Sequence, residues 1–400
     1  MLAQNTSTTF FSRVVTFTVV LSPLFLPYGY HGINFALILE LAIIIWSVLG
    51  RKISFNDFKN PYIFFLIHTF IFTNIVCIVQ GGHFFAYRGE FIFFVLLCIT
   101  HKYFNIDYGL KLYRILFYFT CVVFLSQEIS SLIFGSRFSA LIPNLPLIYE
   151  DSYLDMNMSD MIERQLSSDR SSSVFLEPAQ FAQFILPYFA IELFRNRNFS
   201  ISSKVIFFLC IIFLLESGNG IIVSTIILLL WVIEIKKSYK NLFLLNLILL
   251  CFIIIIPFLL NSEFVSDLLN RSSEFSSVDT TSSGFLRVIR GYYLWADIPL
   301  INEIFGLNFN SLESFYHNLS PYVQSLFAKE FYINTFQSKL IYSGFIGMIL
   351  YFNWFLQEIR TSTYIGKHIL IMALIMHFIA SFDPVFLIMY VALAQKSTIK

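Results

Sequence analysis

Residues 205–235 read VIFFLCIIFLLESGNGIIVSTIILLLWVIEI. Two apolar runs, 204–216 and 219–235, flank one tight polar turn, Glu216-Ser217-Gly218-Asn219-Gly220. Each run is apolar on every side of a helix, so it needs an apolar solvent or the centre of a large core. The pattern extends outward in both directions. Candidate spans fall at 14–30, 33–49, 62–80, 85–100, 111–134, 174–194, 204–216, 219–235, 241–260, 335–357, 368–380 and 384–395. That is about twelve, or ten to twelve if the shortest pair up.

Composition agrees with this reading. The chain of 400 residues is 57% hydrophobic and 18% aromatic, only 13% is charged, and its mean hydropathy is +0.73. A soluble domain carries roughly twice that charge. The expected fold class is an all-α polytopic membrane protein, with 1–400 forming a single integral membrane domain. A soluble enzyme, a nucleic-acid-binding domain and a disulfide-stapled secreted domain are excluded, and a net charge of +1 points to no polyanionic partner. Cys77, Cys98, Cys121, Cys210 and Cys251 all lie in apolar runs without a CxxC pair, so no disulfide framework or zinc site is suggested. No fixed-period repeat is visible. The first run lacks a small-residue cleavage site and reads as a retained span, not a signal peptide.

Orientation follows from the basic residues. With both termini cytoplasmic, 17 of the 26 Lys and Arg lie in inner segments. Seven more sit in two long loops, leaving Arg88 and Lys339 as the exceptions near the ends of spans. The long loops, 135–173 and 261–334, then face outward, the second carrying interfacial helices. Both are acidic, with six acids against three arginines in the first and eight against four basic residues in the second. The short inner turns leave no room for a nucleotide-binding domain, and neither GxxxxGK[ST] nor GxGxxG occurs. Chemistry on the outer face therefore needs a substrate already activated on a lipid.

Three stretches could build an anion site there. In Arg170-Ser171-Ser172-Ser173-Val174-Phe175-Leu176-Glu177-Pro178, proline starts a helix and places Glu177 at its N-terminus, below the surface in a partly re-entrant segment. A helix N-terminus favours a carboxylate or a bound phosphate; the alternative is a capping glutamate beside an interfacial arginine. Arg287 and Arg290, three apart and bracketed by Gly284 and Gly291, share a helix face and suit a pyrophosphate, or else pair with Glu274, Asp279 or Asp297. His317 could take a proton from a sugar hydroxyl, or is a solvated loop residue. Within the spans, Glu40, Glu128, His68 and His377 are costly in hydrocarbon and mark functional positions or hydrogen-bonded structural groups. Glu216, Asn219 and the Asp383-Pro384 turn place polar groups at the cavity rim.

From Arg170 through Pro178 and on to Ala179-Gln180-Phe181-Ala182, the chain resembles the bacterial O-antigen and capsular-polysaccharide polymerases of the Wzy type, which carry an R-x-S-S-x-F-x-E-P-like stretch entering a mid-chain span. The span count, the two outer loops, Gly218-Asn219-Gly220 and Gly284 before Arg287 agree along nearly the whole chain. Ile333-Asn334-Thr335-Phe336 through Gly344-Phe345-Ile346-Gly347 resembles a pattern shared with the O-antigen ligases, but Ile333 stands where the ligases carry a histidine. The resemblance implies a glycosyltransferase of GT-C-like architecture in the cytoplasmic (inner) membrane, without cofactor or metal. Its partners would be undecaprenyl-pyrophosphate-linked oligosaccharides and membrane lipids, with a chain-length regulator and a flippase, and no nucleic acid. The site it implies comprises Glu177, Arg170, Arg287, Arg290 and His317 for catalysis, with Arg88, Glu216, Asn219 and Asn334 binding substrate. On this basis Arg170→Ala and Arg287→Ala abolish activity and Arg137→Ala is nearly silent. The competing expectations are an O-antigen ligase-type transferase and a lipid-linked oligosaccharide flippase or ion-coupled transporter.

Overall fold

A computed structural model describes residues 2–30, 33–143, 145–147, 171–195, 202–234, 288–327 and 333–396. It is mostly helical, with one two-stranded antiparallel pair, Gly29–Tyr30 (β1) against Ile33–Asn34 (β2). The main helices are α1 (Leu2–Leu21), α2 (Phe35–Leu49), α3 (Tyr62–Val79), α4 (Arg88–Tyr103), α5 (Ile106–Phe134), α6 (Pro178–Phe194), α7 (Ser203–Leu215) and α8 (Gly218–Glu234). Four short helices follow: α9 (Arg290–Asp297), α10 (Leu300–Phe305), α11 (Phe309–Tyr316) and α12 (Pro321–Phe327). Then come α13 (Thr335–Thr361), α14 (Tyr364–Ile379) and α15 (Pro384–Ala394).

Among the described residues, three helices are long and apolar enough to cross a membrane: α3, α5 and α13. Six others are apolar but shorter, and the expected span 241–260 lies outside the described residues. The first expected span, 14–30, is also corrected. Helix α1 ends at Leu21, Ser22–Phe25 tightens into a 3₁₀ turn around Pro23, and the chain turns back through β1 and β2. Proline has no N–H to continue the ladder.

Helices α6 and α15 form the centre. Every residue of α6 from Phe181 to Phe194 is buried, as is every residue of α15 from Val385 to Ala394. Pro187 interrupts α6, and tyrosines from neighbouring helices repair the break. The Gln183 carbonyl, which loses its partner to proline, accepts from Tyr390 Oη at 2.7 Å. Tyr113 Oη donates to the Phe184 carbonyl at 2.6 Å and accepts from Tyr188 N at 3.1 Å. Buried backbone groups are thus satisfied where water is excluded. The outward faces stay apolar: α3 exposes Phe64, Ile67, Ile71, Ile75 and Ile78, and α5 exposes Ile115, Phe119, Val122, Ile129 and Leu132.

Helices α9–α12 form a cap with its own core of Leu294, Ile298, Leu307, Leu312, Val323 and Phe327, packed on Cys77 of α3 and Ile341 of α13. The cap grips α13 at a break. Gly344 is non-helical (φ 65°, ψ −177°), and a Cβ there would lie 2.4 Å from Gly306 N and the Ile304 carbonyl oxygen. The loop after α10 crosses the helix here, and Leu307 N donates to the Ile341 carbonyl at 2.8 Å. Opposite the break, α3 widens into a π-helical turn over His68–Thr73. His68 Nε2 donates to the Ser343 carbonyl at 2.9 Å, and Thr73 Oγ1 donates to the Phe305 carbonyl at 2.6 Å.

Candidate active-site cavity

The break in α13 stands beside a cavity of about 260 Å³ between α3, α4, α11, α13 and the start of α15. Its wall is largely aromatic, with Phe65, Phe85, Tyr87, Phe309 and Tyr342, and its polar groups are Thr69, Glu90, Ser338, Lys339 and Ser343. Lys339 forms an ion pair with Glu90, and both side chains are more than three-quarters buried. The lysine's Nζ also lies 5.2 Å from the ring centroids of Phe65 and Tyr351. Tyr62 Oη donates to the other Glu90 oxygen. The ammonium is therefore held by one carboxylate and two π faces, an arrangement that stabilises a cation away from bulk water.

Local sequence explains the placement. Tyr87 adopts a left-handed conformation (φ 44°) before α4 and donates from its hydroxyl to the Tyr342 carbonyl at 3.1 Å. Non-glycine residues rarely occupy this region, and such strain concentrates at functional sites. The turn starts α4 at Arg88, exposed at the rim between Tyr87 and Gly89, which both line the cavity. Asn334 starts α13 with a capping box, accepting from Gln337 N at 2.8 Å while Gln337 returns a contact to the Asn334 N–H. Lys339 thus enters one turn into the helix.

A small cavity of about 20 Å³ continues inward from Glu90 and Lys339, reaching Tyr62, Tyr351 and His377. His377 Nδ1 donates to the Ala373 carbonyl at 2.6 Å, which leaves Nε2 to accept from Tyr351 Oη at 2.7 Å. Asp383, whose side chain caps α15 through Val385 N at 2.8 Å, lies within electrostatic reach of buried Glu40.

The residues expected from sequence are scattered relative to this cavity. Arg170 and Arg287 lie outside the described residues. Residues Ser171–Ser173 are buried and non-helical: Ser173 N donates to Gln127 Oε1 at 2.8 Å and its hydroxyl donates to the Thr120 carbonyl at 2.7 Å. Glu177 is exposed at the N-terminus of α6 and makes no side-chain capping bond. Arg290 is 1% exposed, donates to the Leu326 carbonyl at 3.2 Å and lies over the Phe327 ring, so it braces the cap. His317 is exposed at the end of α11 and lines neither cavity. Asn334 is a buried helix cap that also donates to the Phe378 carbonyl at 2.8 Å. Glu216 ends α7 in a left-handed conformation, and Asn219 is buried in the first turn of α8. Arg137 pairs with Glu128 at 3.4 Å and donates to Ser171 Oγ at 3.1 Å, so it fastens the 171–177 segment and is not an idle loop residue.

Tyr62, Glu90 and Lys339 were missed. A usable signal existed, because Arg88 and Lys339 were the two span-end cations that broke the positive-inside pattern. The structure puts Lys339 in the cavity wall and Arg88 between Tyr87 and Gly89, which line it. No family model matches this chain, and no curated protein matches it.

Proposed function

We propose that the protein is a multi-pass membrane glycosyltransferase that polymerises lipid-linked oligosaccharide repeat units on the outer face of the cytoplasmic membrane. The growing glycan would pass from undecaprenyl-pyrophosphate to the terminal hydroxyl of a second lipid-linked unit. The apolar outward faces of α3 and α5 support the membrane setting, since soluble monomers rarely expose such patches. The observation that carries the reading is the aromatic-walled cavity closed by Glu90 and Lys339, with Arg88 at its rim.

The acceptor oxygen attacks the anomeric carbon, its proton passes to the Glu90 carboxylate, and the bond to the pyrophosphate oxygen breaks with the electron pair leaving on the phosphate. Lys339 and Arg88 stabilise that developing charge, worth about 2.7–4 kcal/mol for one well-placed donor. Proton transfer to a positioned carboxylate contributes about 10²–10⁴-fold. Aromatic faces pack on the apolar faces of sugar rings. Arg170 and Arg287 remain proposed partners of the pyrophosphate, and Glu177 is the second candidate base.

The test is a gel of surface and lipid-linked glycans from the host with this gene deleted, then restored as wild type, Lys339→Met, Glu90→Gln or His317→Ala. Loss of a long ladder to single repeat units, restored by wild type and His317→Ala but not by the other two, is the expected result. A ladder that persists on its carrier but is never attached identifies a ligase. An unchanged ladder rejects all glycan assembly. A transporter is the second reading, favoured by the broken α13 facing the π-helical turn of α3, because discontinuous helices surround transporter sites.

A further inference from the structure

A second cavity, of about 180 Å³, lies at the far end of α13 from Lys339, about 28 Å away along the helix by residue rise. Its floor is Glu358, 8% exposed. One carboxylate oxygen, Oε1, accepts from Trp354 Nε1 at 2.9 Å, His101 Nε2 at 3.1 Å and Asn60 Nδ2 at 3.2 Å. The other, Oε2, has no hydrogen bond among the described residues. A carboxylate so deeply buried, with one oxygen saturated and one open, is built to accept a further donor.

The remaining polar wall is mixed: His101, which shares Glu358 Oε1, meets the Gln395 amide through its other ring nitrogen at 3.5 Å, and Thr361 and Ser362 add hydroxyls. Thr361 Oγ1 donates its proton to the Gln357 carbonyl at 2.9 Å, and Ser362 Oγ donates to Ile359 at 2.8 Å, so both hydroxyls present lone pairs to the cavity. Two helix C-termini converge there, α13 ending at Thr361 and α15 at Ala394. Their carbonyl ends add negative potential. We infer that this cavity binds a primary ammonium, the group that supplies a positive charge and three N–H donors to the open Glu358 Oε2 and the Thr361 and Ser362 hydroxyl oxygens. The site is independent of the glycosyltransferase reading, because it shares no lining residue with the Glu90–Lys339 cavity. Lys396 at its rim is exposed and is the one rival ammonium among the described residues that line it.

The experiment measures thermal unfolding of the purified full-length chain in detergent with millimolar ethanolamine or tetramethylammonium. Both carry one positive charge, and only ethanolamine has N–H donors. Ethanolamine is expected to raise Tm by about 2 °C while tetramethylammonium leaves it unmoved. The shift is lost in Glu358→Gln, which keeps the side-chain shape, and grows in Lys396→Ala, where the competing ammonium is gone. The Lys396 variant alters an exposed residue and tests the site even if Glu358→Gln does not fold. Equal shifts from both cations, or a shift retained in Glu358→Gln, overturn the proposal. So does a shift seen only in Lys396→Ala, which gives the site to the chain's own lysine.

Discussion

Two lysine–carboxylate pairs hold opposite ends of this bundle and differ in almost everything but their charges. Lys339 and Glu90 have side chains 16% and 24% exposed, sit against two aromatic rings and share Glu90 with Tyr62. Lys102, at the end of α4, pairs at 2.8 Å with Asp57 in the turn between α2 and α3; their side chains are 38% and 20% exposed, and the lysine also donates to the Lys52 carbonyl at 3.0 Å. The first pair is shielded from water but borders a cavity, so a ligand anion can compete for the ammonium at low dielectric. The second has the more exposed lysine, lines none of the three cavities and fastens a turn. Charge identity says little about role; surroundings decide it.

The comparison depends on the break in α13 that shapes the enclosed end, so the largest effect is expected there. Gly344→Ala places a Cβ against the backbone of Ile304 and Gly306 and forces alanine into a conformation reserved for glycine. A loss of about 3 kcal/mol or more is expected, read as a large fall in Tm or in folded yield. Gly306→Ala (φ 98°) attacks the same crossing from the other side, and the two losses combine to less than their sum.

Next comes Lys339→Met. It removes the charge and leaves Glu90 partly buried with only Tyr62, at an expected loss of about 2–3 kcal/mol, below the figure for a fully buried pair because some exposure remains. Adding Glu90→Gln recovers part of that stability without restoring activity, which a double-mutant cycle on Tm measures. Arg137→Ala follows at about 1–2 kcal/mol, since it leaves Glu128 and Ser171 without their partner. An unchanged Tm in Arg137→Ala would show that neither contact holds the start of the 171–177 segment.

Helical class was legible in the sequence because long apolar runs and proline positions are local signals. The start of α6 at Pro178 and the Asp383-Pro384 cap of α15 follow directly from residue chemistry. The end of α1 was misplaced because the apolar run continues past Leu21 although Pro23 cannot extend the ladder. The site was harder. Arg290 reads as a ligand group in the sequence and is buried against the Leu326 carbonyl in the structure, since a bare arginine reads the same whether it meets phosphate or a carbonyl. Glu90 and Lys339 lie 249 positions apart, and no local pattern announces such a pair. Their only trace was Lys339 and Arg88 standing on the wrong side of a charge rule.

The smallest effect belongs to the open pair. The Lys102 ammonium hydrogen-bonded to Asp57, with help from the Ser54 N–H, holds that carboxyl below its ordinary value of 3.8. A lowered carboxyl stabilises the folded chain above the unfolded value and loses that contribution as pH falls through the folded one. The pair's share is therefore fully present at neutral pH and disappears below pH 3.8. Solvent screening limits it to about 0.5 kcal/mol. Asp57→Asn should lower Tm slightly at neutral pH and by a shrinking amount as pH falls below 3.8, and salt should shrink the difference because the lysine is exposed. The same salt series on Lys339→Met should leave its deficit nearly unchanged. If both deficits fall together with salt, the Lys339 pair is as open as the Lys102 pair, and the cavity has no special hold on its lysine.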